Sequence, residues 1–120
     1  MTKNQNTKHY DLEERTLKFA RGVIGFTNKI PKTLANLEIS KQLVRSAGSV
    51  GANYIEANES LSKKDFVMRI KICRKEAKES GYWLKLIVTN SKVMEKEKNN
   101  FIQETIELTK IFGAILKKSK

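Results

Sequence analysis

Six basic side chains recur through residues 64–85 at spacings that would place them on one face of an α-helix. They are Lys64, Lys71, Arg74, Lys75, Lys78 and Lys85. With 3.6 residues per turn, these positions share one sector of the helical wheel, opposite the apolar positions of the same segment. Such a basic ridge can contact successive phosphates of RNA or DNA, mostly without reading the sequence and with strong salt dependence. The alternative is a solvated lysine-rich face that only maintains solubility.

The composition agrees with an acidic partner for this ridge. The chain has 24 Lys and Arg against 13 Asp and Glu, which gives a formal net charge of +11. No aromatic side chains that could stack on bases are expected between the basic ones, so contact with the phosphate backbone is favoured over sequence-specific recognition of single strands. Charge alone does not separate nucleic acid from an acidic protein. A protein-interaction scaffold for an acidic or nucleoprotein partner is therefore the second functional class.

Residues that could carry catalysis or bind a metal are few. The single histidine, His9, lies in a polar stretch, and the single cysteine, Cys73, falls on an apolar stripe, where a thiol acts as a small hydrophobic group. Glu56 and Glu59 are three residues apart, but the Glu-x-x-His repeats of a di-iron bundle are absent. One His and one Cys also leave no Cys/His zinc site and no internal disulfide. We therefore expect no catalytic residue, no metal and no cofactor.

Apolar periodicity organises the chain into four helical segments. The first is expected to open at Asp11, with Glu14 completing a capping box, and to end at Pro31. Ser62 is expected to cap the third segment. The four segments are expected to span residues 11–30, about 37–60, 63–89 and about 95–117. No strand competes, and one proline in the whole chain leaves the helices uninterrupted.

Spacings of three and four place apolar or small residues along one face of each segment. These core positions are Leu12, Phe19, Val23, Phe26, Ile30, Ile39, Leu43, Ala47, Val50, Tyr54, Ala57, Leu61, Phe66, Ile70, Cys73, Ala77, Ser80, Leu84, Ile87, Phe101, Thr105, Leu108, Phe112 and Ile115. Four helices with short connections predict an all-α, antiparallel up-down-up-down four-helix bundle over residues 11–118, after a flexible tail at 1–10. No apolar run is long enough for a membrane span or a secretory signal, so we expect a cytoplasmic protein.

Two features do not fit a single bundle core. Gly48 and Gly51 lie inside the second segment, where each glycine costs about 1 kcal/mol relative to alanine, so close helix packing or a kink is expected there. The third segment carries a second apolar face formed by Met68, Ile72, Trp83 and Leu86. This face is either buried deeply within its own bundle or packed on another subunit. We assign both glycines and this face to an interface between subunits.

A polar stripe with charges of both signs runs beside the glycines on the second segment. It contains Arg45, Ser49, Ala52, Glu56 and Glu59. Arg45 and Glu56 lie about three turns apart and cannot touch, so each is expected to meet a partner from another helix. Glu76 and Glu79 are the candidates for Arg45. Solvated surface residues are the alternative.

Two stretches carry a family resemblance. "QLVRSAGSVGANYIEA" and "DFVMRIKICRKEAKESGYWL" are similar to "QLRRAAVSIPANIAEG" and "EFIRFLYIARGSLAELETQL", which are typical of bacterial four-helix-bundle proteins encoded by intervening sequences within 23S ribosomal RNA genes. The matching residues are Gln42, Leu43, Arg45, Ala47, Ser49, Ala52, Asn53, Glu56, Phe66, Ile72 and Glu79. Gly51 replaces the proline of the motif and Ala57 replaces a glycine. The third segment is also more charged than the motif.

The resemblance implies four antiparallel helices and assembly into a ring-shaped homopentamer, without catalytic residues. It also implies that Arg45, Asn53, Glu56 and Glu79 form a structural polar motif. The partners implied are ribosomal RNA or other nucleic acid, or a protein such as a reverse transcriptase or a ribonucleoprotein component.

Overall fold

The computed structural model describes the backbone of residues 3–119 and the side chains of residues 12–119. It contains four helices: α1 (Lys3–Thr27), α2 (Leu34–Asn58), α3 (Lys63–Leu86) and α4 (Lys92–Lys118). No strand is present in this part of the chain, so the all-α prediction is confirmed. The side chains of His9 and Asp11 lie outside the described residues, and the flexibility of residues 1–10 stays a prediction.

Contacts between the helices show that neighbours run antiparallel. Between α2 and α3, the hydroxyl oxygens of Ser46 and Ser80 lie 2.8 Å apart, and Arg69 donates to Asn53 at 3.0 Å. Positions that advance along α2 therefore meet positions that retreat along α3. α1 and α3 each pack on both α2 and α4. Within residues 3–119, α1 makes no close backbone contact with α3, and α2 makes none with α4. The up-down-up-down four-helix bundle is confirmed.

Three helices begin at a hydroxyl side chain that caps the first turn. Thr33, Ser62 and Ser91 each accept a hydrogen bond of 3.1 Å from the backbone N–H three residues further on. The prediction of Ser62 as a cap is confirmed. α2 and α4 begin about one turn before the predicted starts, because Thr33 and Ser91 satisfy backbone donors there.

The predicted capping box at Asp11 and Glu14 is wrong, because α1 begins at Lys3 and both residues lie inside the helix. No proline or glycine occurs between Lys3 and Asp11, so no backbone feature stops the helix from extending in this direction. At its other end α1 stops at Thr27, before Pro31.

The predicted apolar stripes meet in one core. Its largest fully buried side chains include Phe26, Phe112, Leu43, Ile70 and Leu84. The prediction of Leu61 as a core residue is wrong, since its side chain is 100% exposed. α2 ends at Asn58, so the helical periodicity that placed Leu61 on the core face no longer applies in the connection to α3.

A buried asparagine ties two connections together at one end of the bundle. The side-chain amide of Asn36 donates to the carbonyl oxygens of Pro31 and Val88 at 3.0 and 2.8 Å, and its oxygen accepts from the Val88 N–H at 3.0 Å. These bonds satisfy backbone groups in the two connections, which have no partner within a helix. Sequence reasoning missed this role, because asparagine near a helix start ordinarily lies at the surface.

The two glycines of α2 have different surroundings. A Cβ atom added to Gly51 would lie 2.9 Å from Oγ1 and 3.2 Å from Cβ of Thr16, so Gly51 allows close packing of α2 on α1. A Cβ added to Gly48 would meet nothing within 4 Å. The expectation of close packing is therefore correct for Gly51 and wrong for Gly48 within the chain, because Gly48 points away from both neighbouring helices. The helix continues through both positions.

This contrast predicts opposite effects for the same substitution. Gly48→Ala should raise the free energy of unfolding by up to about 1 kcal/mol, because alanine gains helix propensity in open space. Gly51→Ala should lower it by about 1–3 kcal/mol, because the added methyl group displaces Thr16, which is buried and β-branched. Urea denaturation of both variants at one protein concentration measures the difference.

Gly25→Ala provides the control, because it lies in α1 and a Cβ there also meets nothing within 4 Å. It should behave as Gly48→Ala does. Equal stabilisation by Gly48→Ala and Gly51→Ala would contradict the close approach of α1 and α2.

Cys73 lies on the core face of α3 and is fully buried. Burial raises the pKa of its thiol from 9.0 to about 12, because the thiolate would lose its hydration. The prediction that this thiol acts as a small hydrophobic group agrees with its position.

We therefore expect Cys73 to resist thiol reagents in the folded protein at pH 8. With a pKa of about 12 in place of 9.0, the thiolate fraction is about a thousandfold smaller than in the unfolded chain. Reaction with a chromogenic disulfide before and after urea unfolding measures this, and Leu61→Cys supplies an exposed thiol as control. The pKa of the Cys73 thiol is higher in the folded chain than in the unfolded chain. The contribution of the buried neutral thiol to the free energy of unfolding is therefore complete below about pH 9 and is lost as the pH rises toward 12. Rapid labelling of native Cys73 would show that α3 opens.

Candidate nucleic-acid interface

The basic ridge lies on the outer surface of α3, and all six of its side chains are exposed. They are Lys64, Lys71, Arg74, Lys75, Lys78 and Lys85. From Lys64 to Lys85 the ridge spans 21 helical positions, or about 32 Å along the axis. The opposite face of α3 enters the core, and its flanks pack on α2 and α4. The ridge therefore rests on a helix that is held on three sides.

Positive charge on the ridge is not balanced by carboxylates of the bundle. None of the six side chains lies within 4 Å of an acidic group among residues 12–119, although other cations of the protein are paired. On the same helix, Glu76 and Glu79 lie on the flank that packs against α2, where they meet Arg45. The face thus keeps its positive potential, which attracts anions.

A shallow groove adjoins the middle of the ridge. Four ridge residues form one wall, and Thr109 and Gly113 of α4 form the other. A Cβ atom at Gly113 would meet nothing within 4 Å, so this wall is low and open. The Thr109 hydroxyl donates within its own helix to the carbonyl oxygen of Thr105 at 2.6 Å. The groove therefore offers basic side chains on one side and little steric obstruction on the other.

Polar residues join α2 to α3 on the flank beside the ridge. The Arg45 guanidinium lies 3.8 Å from a carboxylate oxygen of Glu76 and 3.5 Å from one of Glu79, so the predicted partners of Arg45 are confirmed. Asn53 accepts a hydrogen bond from Arg69. Glu56 is exposed and forms no ion pair with the described side chains, so the prediction that it meets a partner on another helix finds no such partner among residues 12–119.

Two buried polar atoms of α3 have no hydrogen-bond partner among the described residues. They are Oε1 of Glu76, whose residue is 6% exposed, and Nε1 of Trp83. The other Glu76 oxygen faces Arg45. Burying a carboxylate oxygen without a hydrogen-bond partner costs free energy. This flank of α3 therefore carries a desolvation cost that its apolar core face does not.

Residues assigned to an interface between subunits fall in three environments. Met68 and Leu86 are 50% and 41% exposed, while Ile72 and Trp83 are half-buried and Trp83 packs against the core. The alternative that this whole face is buried within its own bundle is therefore wrong for Met68 and Leu86. Gly48 is exposed, whereas Gly51 makes its close contact with α1 inside the chain. The interface itself stays a prediction.

An aromatic side chain lies within the basic ridge, contrary to the sequence interpretation. Tyr82 is 58% exposed and follows Lys78 by four positions, while Lys85 follows it by three. One helical turn separates such neighbours, so Tyr82 shares their face. The spacing was readable from the sequence. The sequence interpretation considered only the basic positions of this face and did not include Tyr82.

A second concave surface, also missed, lies between α1 and α4. Phe19, Gly22 and Phe101 form its apolar floor, and Arg15 on its rim donates to Glu104 at 2.6 and 2.9 Å. α1 and α4 make the least extensive contact of the four helix pairs, which leaves this furrow open. Arg15 and Glu104 are paired on its rim, whereas Glu14 and Lys18, which also line the furrow, form no ion pair within 4 Å among the described side chains.

Residues that could ligate a metal are scattered over the described part of the chain. Within it, no three side chains of His, Cys, Asp or Glu come together as a metal site would require. None of its helices combines the length and apolarity needed to cross a membrane.

Comparison with known proteins agrees with this architecture. The family model of the 23S rRNA-intervening sequence protein matches residues 8–114. One similar solved structure is a protein of unknown function from the S23 ribosomal protein family of Bacteroides thetaiotaomicron. The two sequences are 28% identical, and the structures superpose with a TM-score of 0.74. The match covers 88% of the present chain and 98% of the Bacteroides thetaiotaomicron chain. No curated protein matches the chain. Because the family model spans nearly all of the four-helix bundle, the chain belongs to the 23S rRNA-intervening sequence protein family.

Proposed function

We propose that this protein is a non-enzymatic, oligomeric helical bundle that binds nucleic acid through the phosphates. The observation that carries the proposal is the basic ridge of α3, whose six exposed cations have no carboxylate within 4 Å among the described residues. Cations of such a face neutralise phosphates and thereby release counterions from the nucleic acid, which favours binding. The ridge is about 32 Å long, so it can contact several phosphates at once.

The family supports ribosomal RNA as the first nucleic acid to test. Its description refers to an intervening sequence of 23S rRNA, and the similar Bacteroides thetaiotaomicron protein is assigned to a ribosomal protein family. We extend this to the present chain as a proposal about its partner. Lysine and arginine contacts to phosphates carry little sequence information, so binding is expected across unrelated sequences.

Assembly into a homopentamer, which the family resemblance implies, is the second part of the proposal. Met68 and Leu86 leave apolar surface in water on α3, and Leu17, Ile24 and Ile55 do so on α1 and α2. Contact between copies would bury such surface. Repetition of the ridge around a ring would raise the effective concentration of weak phosphate contacts.

The proposal of a non-enzymatic role rests on the nucleophiles available. Cys73 is buried and its pKa is raised by that burial, which disfavours the reactive thiolate. No cofactor is proposed.

A protein scaffold is the alternative function. Exposed Leu17, Ile24 and Ile55 on α1 and α2 favour it, because apolar side chains there could pack on a partner protein while the ridge meets its acidic surface. A reverse transcriptase or a ribonucleoprotein component would be such a partner.

Charge reversal at Lys71, Lys75 and Lys78 should weaken binding to unrelated RNA and DNA fragments. The slope of log affinity against log salt should fall by about one unit for each phosphate that the variant no longer neutralises. A salt titration of wild type and triple variant by fluorescence anisotropy measures both quantities, and circular dichroism checks the fold.

The matched control reverses Lys18, Lys92 and Lys96, which are exposed and lie outside the ridge. Each reversal removes two charges, so both triple variants carry +11 − 6 = +5. Equal weakening by the two variants would show that net charge, and not the ridge, determines binding. Absence of wild-type binding at low salt would favour the protein scaffold.

Met68→Glu should lower the mass of the assembly without loss of helicity, because a charge would be buried between copies while the monomer keeps its packing. Light scattering reads the mass against multiples of 13.8 kDa. Leu61→Glu is the control, since Leu61 is fully exposed outside the proposed interface. A wild-type mass of one chain would overturn the proposed assembly.

A further inference from the structure

Tyr82 is the only exposed aromatic side chain among residues 12–119. The phenylalanines, Tyr54 and Trp83 in this range are buried or half-buried. Tyr82 also lies among the cations of the basic ridge, one turn from Lys78 and one turn from Lys85. An aromatic ring and positive side chains on one solvent-facing surface are the two elements with which proteins bind unpaired nucleotides.

The ring of Tyr82 is supported by its neighbour. Its centroid lies 5.2 Å from that of Trp83, at an interplanar angle of 67°, which is the edge-to-face arrangement favoured by aromatic pairs. Trp83 packs in turn against the core. Because this contact restrains the ring before a ligand arrives, stacking on Tyr82 would sacrifice less side-chain freedom than stacking on a mobile surface residue.

We propose that Tyr82 is a stacking platform for an unpaired base, and that the ridge therefore prefers single-stranded nucleic acid to a duplex. The inference rests on the proposed phosphate binding by the ridge. In a duplex the bases stack on one another and their faces are not available, so only the phosphates can be used. In a single strand one base can lie on Tyr82 while flanking phosphates meet Lys78 and Lys85.

Charge complementarity identifies the occupant of this surface. The ridge has six cations and no nearby carboxylate within the described side chains, so an anionic ligand is favoured over an apolar one. The open wall at Gly113 leaves room for a flexible strand beside Lys71 and Lys78. RNA and DNA share the chemistry of phosphate and base, and separate probes distinguish them.

The test compares Tyr82→Ala and Tyr82→Phe with wild type on four end-labelled probes: oligouridine, oligothymidine, and an RNA and a DNA duplex of equal length. Tyr82→Ala should weaken binding of the single strands by about tenfold. It should leave duplex binding and the salt slope unchanged, because every basic side chain of the ridge is still present to meet the phosphates. Tyr82→Phe should retain the affinity, since stacking needs the ring and not the hydroxyl group.

Fluorescence gives a second readout. The chain has one tryptophan, Trp83, and its ring touches Tyr82. Single-stranded probes should change the emission of Trp83 in wild type, and Tyr82→Ala should diminish this change at saturating probe.

The outcomes separate this inference from the proposed function. Binding of single strands and duplexes with equal affinity, unaltered by Tyr82→Ala, overturns the stacking role and leaves phosphate binding intact. Failure of wild type to bind any probe at low salt overturns the proposed function itself. A reduced mass of Tyr82→Ala in light scattering overturns the inference in favour of an assembly role, because Tyr82 borders the apolar face of Met68 and Leu86.

Discussion

The arrangement of the bundle depends on close approach between helices at positions where one partner has almost no side chain. Gly51 of α2 lies against Thr16 of α1, and an added Cβ atom there would be 2.9 Å from the threonine hydroxyl. Gly81 of α3 lies against Thr105 of α4 in the same way, at 2.7 Å. Between these two pairs, the hydroxyls of Ser46 and Ser80 join α2 to α3. Larger side chains at these positions would hold the helices apart or shift their register.

The register of α3 determines where its charges lie. With its core face held between α2 and α4, the helix turns Glu76 and Glu79 toward Arg45 on one flank and leaves the basic ridge in water. Separation of the two signs on one helix keeps the ridge positive, because its cations are not neutralised locally. Lysines are strongly hydrated, so their exposure on this face is also the stable arrangement for the folded chain.

Tyr82 connects the ridge to the interior. Its ring contacts Trp83, and Trp83 packs against the core, so the surface that we propose to bind nucleic acid is continuous with the packing of α3. Apolar surface left at Met68 and Leu86 begins beside the same pair. The ridge and the proposed interface between copies therefore occupy adjacent faces of one helix, and a bound strand could lie close to a neighbouring subunit.

The sequence alone determined the four helices and most of the core stripe, because apolar spacing, hydroxyl caps and short connections act between near neighbours in the chain. It also carried the family resemblance. The same local rule placed the six cations on one face. The sequence also named Glu76 and Glu79 as candidates for Arg45, but their contact with it depends on how α2 packs on α3. The exposure of Leu61 and the lack of an ion pair for Glu56 among the described side chains were decided by the tertiary structure. So were the different surroundings of Gly48 and Gly51, which lie only three residues apart on one helix. A helical wheel specifies the direction of a side chain but not what stands opposite it, and that depends on how α1 and α3 pack on α2.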